Sequence, residues 1–435
     1  MRVKHLSYDA VPSTPKEGTF MFSSRRLRLA AGLLVTAAVA VVAVSSGTSA
    51  TSQSTTIVIW ADADRVPAVT QVANAWAASK GATVQVVQKN FGDIRSQLST
   101  VAAETAPDVI VGAHDWVGEL SANGSVLPLS PSAATRQQFP AYALNSFSYG
   151  TAIKKLYGIP VALENVALFT NTKLAKVPTS FADLERQALA AKKKTKAQVG
   201  LAVQQGAGGD AYHMYPFFAG LGGYIFGTNK AGNLDPSDIG VANAKFLKNA
   251  GLIDKWNKEG LIRSQVQWDT ARDLFTKGKV AYYITGPWFL SDIQKAGVKY
   301  AISGFPEIVP GIKSAPFLGV QGFMVTKFSV AHGVESLAKD LVATYMGRPA
   351  SQLALAAANG RFPANTVAGN QVKDADLKAF GKASVGGVPM PNIPQMASVW
   401  GDLGAAWVRS TKGAGSIPAR KSFIGAQKSI AQKIG

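Results

Sequence analysis

TIVIWADADRVPAVTQVANAWAASKGATVQVVQKNFGDIRSQLSTVAAETAPDVIVGAHDW, residues 56–116, decides the fold. Ile57-Val58-Ile59-Trp60 is a continuous apolar run, as in a strand buried on both faces. Val66, Val69, Val72, Ala73 and Trp76 then recur at helical spacing. Ala82 to Val87 is strand-like, Ile94, Leu98, Val101 and Ala102 mark a second helical face, and Val109-Ile110-Val111 follows Pro107. Strand–helix–strand–helix–strand predicts an α/β fold with a parallel sheet and right-handed crossovers. Trp60 and Trp76 lie on apolar faces and read as core.

Ligands of such sheets bind beyond the carboxyl ends of the strands. Asp62-Ala63-Asp64-Arg65 follows the first strand, and His114-Asp115-Trp116 follows the third. Helix capping competes for Asp62, because an Asp just after a strand often caps the next helix. Farther on, Val199 to Val203 and Ala281 to Ile284 read as strands. Gly206 to Asp210 reads as a glycine-rich loop and Ala211 to Leu221 as a helix.

At the N-terminus, Arg25, Arg26 and Arg28 precede sixteen largely apolar residues, Leu29 to Val44, and then the small residues Ser45 to Ala50. This is the pattern of a secretory signal over residues 1–50, with cleavage after Ala50, followed by a linker over 51–54. Ser24-Arg25-Arg26 hints at a twin-arginine route, and Met21 is an alternative start. The apolar run is shorter than the ~20 residues of a spanning helix, so a retained anchor is the second reading. The mature chain is then expected outside the cytoplasm, in a periplasm or at the outer face of the membrane or wall.

The chain has 435 residues, no cysteine and a net charge of +19. Its length fits two or three domains. Disulfides, thiolate metal sites, a cysteine nucleophile and a lipid-bearing cysteine are excluded together. With six basic and two acidic residues in the first fifty, +15 remains on the mature chain. Lys192-Lys193-Lys194 with Lys196 reads as the solvated end of a helix, and no aromatic residues interleave with it as a base-stacking surface requires. No Gly-x-x-x-x-Gly-Lys-Ser/Thr loop occurs, so an ATPase must be another chain. His5, His114, His213 and His332 show no metal-ligand spacing, and there is no Gly-x-Ser-x-Gly elbow. Gly206-Ala207-Gly208-Gly209-Asp210-Ala211 matches only a relaxed dinucleotide pattern. No cofactor, metal or nucleic acid is expected.

Five strings in shared order resemble the maltose/maltodextrin-binding proteins of ABC importers across nearly all of the mature chain. They are Ile59-Trp60 with Asp64-Arg65; Ala113-His114-Asp115; Gly158 to Glu164; Gly286-Pro287-Trp288; and Met390-Pro391-Asn392-Ile393-Pro394-Gln395-Met396 followed by Trp400. The resemblance implies a two-lobe periplasmic-binding-protein fold, each lobe a sheet flanked by helices, with the sugar clamped between them. The first lobe would hold residues 55–162 and 321–369, and the second 167–317 and 376–435. Crossings would fall near Glu164, Gly319 and Val372.

A sugar offers apolar C–H faces and an edge of hydroxyls, which aromatic walls and ionised acceptors suit. By matching position, Trp288, Trp400 and Tyr212 would stack on sugar rings. Asp64, Arg65, Asp115, Glu164 and Asp210 would hold hydroxyls, Trp268 would add an aromatic contact, and Met390 would line the floor. Departures from the familiar enterobacterial members are Gly112 for tryptophan, Trp116 for arginine, Arg95 near an acidic contact and Gly404 for arginine. A stacking wall moved from 112 to 116 would account for two of them. These departures leave trehalose or another α-glucoside as an alternative ligand. The expected partners are a malto-oligosaccharide and the permease and ATPase subunits of the importer, with the protein itself monomeric and not an enzyme. One rival is an exported carbohydrate-active enzyme, since a glycosidase also sets two carboxylates beside a sugar, about 5–5.5 Å or 6.5–9.5 Å apart. The other is a basic surface protein that holds nucleic acid or an anionic envelope polymer, whose binding would weaken steeply with salt.

Overall fold

The computed structural model describes residues 55–150 and 153–435. The signal, its cleavage site and the linker expected over residues 1–54 lie outside the described residues. Strand β1 (Thr56–Ala61) runs into helix α1 (Val66–Lys80), β2 (Thr83–Gln88), α2 (Phe91–Leu98) and β3 (Val109–Ala113). β1 pairs in parallel with β2 on one side and with β3 on the other. Helix α1 buries Ala68, Val69, Val72, Ala73 and Trp76. Val69 and Val72 each contribute about 1.5–3 kcal/mol when fully covered, and the alanines less. Trp60 and Trp76 are core, as the sequence predicts.

The chain then enters β4 (Ile159–Glu164) and, two residues later, β5 (Ala167–Asn171). These strands belong to different sheets, so the chain changes lobe across Asn165 and Val166. Helix α3 (Phe181–Thr195), β6 (Leu201–Val203), α4 (Ala211–Gly220), α5 (Trp268–Thr276), β7 (Tyr282–Thr285) and β8 (Tyr300–Ser303) follow. The second sheet has the order β8-β5-β7-β6, with β7 parallel to β6 and β5 antiparallel to both its neighbours. Lys192, Lys193 and Lys194 sit in the last turn of α3, where cations oppose the helix dipole.

β9 (Phe317–Val325) returns to the first sheet, followed by β10 (Phe362–Pro363) and β11 (Val388–Pro389). The main path of that sheet is β10-β4-β9-β3-β1-β2, with β11 on β9. It is mixed rather than parallel throughout, because β9 is antiparallel to both β3 and β4. β4 carries the chain out of the lobe and β9 brings it back, so the two run in opposite directions. Helices α6 (Val399–Thr411) and α7 (Ala419–Ile434) pack in the second lobe, where buried Trp407 lies between Phe217 and Phe423 at ring distances of 6.4 and 5.2 Å. No described helix is long and apolar enough to cross a membrane. The protein thus has the two-lobe α/β architecture, with the two large sheets in different lobes and two further two-stranded sheets among the described residues.

Candidate functional site

Where β1, β3 and β4 end, their terminal side chains meet the second lobe. Past β1, Arg65 is buried and its guanidinium pairs with Asp62. No side chain caps α1, so Asp62 serves Arg65 rather than the helix. The Arg65 guanidinium carbon lies 5.2 Å from the Phe91 ring, and its Nη2 lies 3.8 Å from Glu164 Oε2. Asp64 is exposed, at the rim.

Glu164, the last residue of β4, is held from two sides. Arg361 Nε donates to its Oε2 at 2.8 Å, and Gln321 Nε2 donates to its Oε1 at 2.7 Å. Both bonds are charge-assisted and therefore stronger than neutral ones. Arg361, just before β10, is itself buried, with Nη2 3.8 Å from Asp64 Oδ2.

Beyond β3, His114 is buried between two backbone groups. Val320 N–H donates to its Nδ1 at 3.1 Å, so the proton sits on Nε2, 3.0 Å from the Met390 carbonyl. Burial pulls its pKa down to about 4, and the ring stays neutral. It thereby fixes the Met390 backbone to the first lobe, with the Met390 side chain buried. Asp115 is buried beside it, and its carboxyl is pushed up to about 6 by that burial. Trp400 Nε1 donates to Asp115 Oδ2 at 3.0 Å. Since α6 carries Trp400, this bond spans the lobes.

The second lobe supplies most of the aromatic face. Gly286-Pro287-Trp288 follows β7, and a Cβ on Gly286 would lie 2.1 Å from the Trp288 ring. The glycine is needed because the indole folds back over its own backbone. Trp288 lies 6.2 Å from Tyr212 and 5.6 Å from His213, with the Arg361 guanidinium carbon 5.9 Å from its centroid. Tyr212 stacks on Phe317 at 6.2 Å, and Trp400 meets the same ring edge-on at 5.8 Å. Among the described residues, neither the buried Tyr212 Oη nor Gln321 Oε1 has a hydrogen-bond partner. Burial raises the Tyr212 hydroxyl well above its usual range, followed by the charges of Glu164, Asp210 and Asp115.

Asp210 caps α4, accepting from His213 N–H at 2.9 Å, and Gln204 Nε2 donates to it at 2.6 Å. Burial acts to raise its pKa, but the His213 and Gln204 contacts outweigh that and hold it below the usual value. Trp116 is buried, and its ring packs 4.9 Å from Phe91. A Cβ on Gly112 would lie 2.5 Å from this ring, so Trp116 fills the space a side chain at 112 would take. Little of its face is open. Trp268 stands apart on α5, 54% exposed, stacked on Phe289 at 5.6 Å. Gly404 packs against the backbone of Gly208 and Gly209. A side chain at position 404 would meet that backbone.

Asp64, Arg65, Asp115, Trp116, Glu164, Tyr212, Trp288 and Trp400 therefore form one linked cluster across the lobe boundary. Asp210 joins it through His213, Met390 borders it through His114, and Trp268 lies outside it. The sequence reading misses Arg361, Gln321, Phe91 and Phe317. For Gln321 a signal existed, namely a polar amide in the apolar run of β9. A lone Arg361 after the helix-ending Gly360 gave none. Among the described residues no His, Asp and Glu group is arranged to hold a metal ion.

A family model described as bacterial extracellular solute-binding protein matches residues 71–381. The maltodextrin-binding protein MdxE of Bacillus subtilis (strain 168) is 30% identical over 336 residues, 73% of this chain and 76% of that protein. The galactooligosaccharide-binding protein of the same organism is 28% identical over 366 residues, 82% of this chain and 84% of that one. A maltooligosaccharide ABC transporter solute-binding lipoprotein of Streptococcus pneumoniae (strain ATCC BAA-255 / R6) is 26% identical over 387 residues, 85% and 87% of the two chains. The chain belongs to the bacterial extracellular solute-binding proteins.

Proposed function

We propose that this chain is the extracytoplasmic substrate-binding component of an ABC importer, that it captures malto-oligosaccharides between its lobes, and that it breaks no bond. The carrying observation is the pairing of chemistries across the lobe boundary. Trp400 of the second lobe donates to the buried Asp115 of the first, and Trp288, beside Tyr212, faces Arg361, which holds Glu164. Flat apolar walls suit sugar C–H faces, and fixed acceptors suit hydroxyls. The unpartnered Tyr212 Oη and Gln321 Oε1 support a ligand bearing hydroxyls, since buried polar groups are ordinarily satisfied. Relatives named for maltodextrin and maltooligosaccharide binding support the α-glucan choice.

The same side chains argue against catalysis. Glu164 is held by Arg361 and Gln321, and Asp210 by a helix cap and Gln204. A ligand touching both lobes binds the closed arrangement better, which shifts the population toward it. The permease and ATPase subunits are separate chains. The working location is outside the cytoplasmic membrane.

The test is tryptophan fluorescence of the chain from residue 51, titrated with maltose, maltotriose and a galacto-oligosaccharide. Saturation by maltotriose, weakened at least about tenfold in Trp288→Ala, is the expected result. Saturation by the galacto-oligosaccharide alone would replace the α-glucan. Release of glucose or maltose from maltotriose would sink the binding-only reading.

A further inference from the structure

We propose that Arg361 is a positioning residue that ties the two lobes together at the sugar site and sets how long the sugar stays bound. This rests on the sugar-binding reading above. Its backbone flanks β10, an edge strand of the first sheet, antiparallel to β4. Its side chain is only 6% exposed. Along it lie the Glu164 carboxylate at 2.8 Å, the Asp64 carboxylate at 3.8 Å and, on the other lobe, the Trp288 ring at 5.9 Å. The neighbouring Gly360 also comes close to the other lobe, its Cβ position lying 3.4 Å from the Pro287 carbonyl.

Two consequences follow from this placement. Glu164 is the last residue before the chain changes lobe, so a guanidinium bonded to it fixes an acceptor at the crossing itself. A carboxylate has about four acceptor positions. With Arg361 on one oxygen and Gln321 on the other, each oxygen keeps acceptor capacity in a fixed direction. The second consequence concerns Trp288. A planar guanidinium over an indole is attracted by the ring's negative face, and this contact exists only with the lobes together. Arg361 therefore biases the closed arrangement at the Trp288 side of the site, as the Asp115–Trp400 bond does at the Trp400 side. An apparent dissociation constant rises as the competent population falls. Loss of Arg361 should then act through closure and release rather than through encounter.

The experiment compares wild type, Arg361→Gln and Arg361→Lys by small-angle X-ray scattering, stopped-flow fluorescence with maltotriose, and thermal melting. Expected for Arg361→Gln are a larger ligand-free radius of gyration and maltotriose release about tenfold faster, with association within about threefold of wild type. Arg361→Lys should fall between, because it keeps the charge and loses the planar face. An unchanged radius overturns the proposal, even where the melting temperature or affinity drops, since a purely structural arginine gives that pattern. If Arg361→Gln does not fold, Arg361→Lys carries the test, and a wild-type radius and release rate in it overturn the proposal. If wild type binds none of the sugars, the sugar reading fails, while the radius comparison still decides on Arg361.

Discussion

Asp115 is a buried acid, and burial is the first cause of its rise to about 6. Sugar hydroxyls donating to the carboxylate would lower that value, so binding near pH 6 should release protons. Affinity for maltotriose should accordingly weaken as pH falls from 7 to 5. Titrations across that range check this, and a flat wild-type profile would remove Asp115 from the hydroxyl contacts. His332 behaves in the opposite sense. Its Nδ1 lies 2.8 Å from the fully buried Asp108, and its Nε2 lies 2.7 Å from the Ala103 carbonyl. Burial acts to lower its pKa, but these two bonds outweigh that and raise it above 6.5. The stability it contributes is thus fully present below the unfolded value, about 6.5, and is lost as pH rises through the higher folded value. The melting temperature of wild type should fall over that interval more than that of His332→Gln. The tryptophans show what one residue can tell. Trp60 and Trp76 were legible as core from their strand and helix phases. The covering of Trp116 was not, because Phe91 and Gly112 reach it only through the fold.

At the scale of elements, the indole that folds back over its own turn gives a sharp prediction. Gly286→Ala places a Cβ 2.1 Å from the Trp288 ring, so the ring must leave. Overpacking of this kind costs about 1–3 kcal/mol. Maltotriose affinity should fall along with the melting temperature, whereas Gly92→Ala, in a helix with open space at its Cβ position, should lower neither. Gly404→Arg should destabilise by a comparable amount, since it drives a side chain into the Gly208–Gly209 backbone. The strand–helix alternation of residues 56–113 was readable because each element buries one repeating face. The antiparallel insertion of β9 was not. Its nine residues say "buried strand" but carry no record of direction, which comes from where the chain returns. The site divides along the same line. The placement of Asp64, Arg65 and Asp115 at strand ends was legible from the topology, while the role of Trp288 entered only through the family resemblance. Arg361 and Phe317 gain their role from contacts between segments far apart in the chain.

For the whole molecule, the charge and the site are separate matters. The chain carries +19, yet the cluster contains Glu164, Asp115, Asp64 and Asp210 against Arg65 and Arg361. Sugar affinity should therefore change less than about twofold between low and high salt, where binding to a polyanion would fall by orders of magnitude. A steep salt slope in the maltotriose titration would mean that the basic surface takes part. Of the segments joining the lobes, two are neighbours in one ladder: Gly319 of β9 pairs with Glu164 of β4, where both strands leave the first sheet. Two strands bonded edge to edge resist sliding past one another but twist readily about their common length. Such a ribbon works like a leaf spring fixed at one end. If the lobes open and close on the sugar as proposed, this ladder predicts that the second lobe turns rather than slides, returning Tyr212 and Trp288 along the same arc.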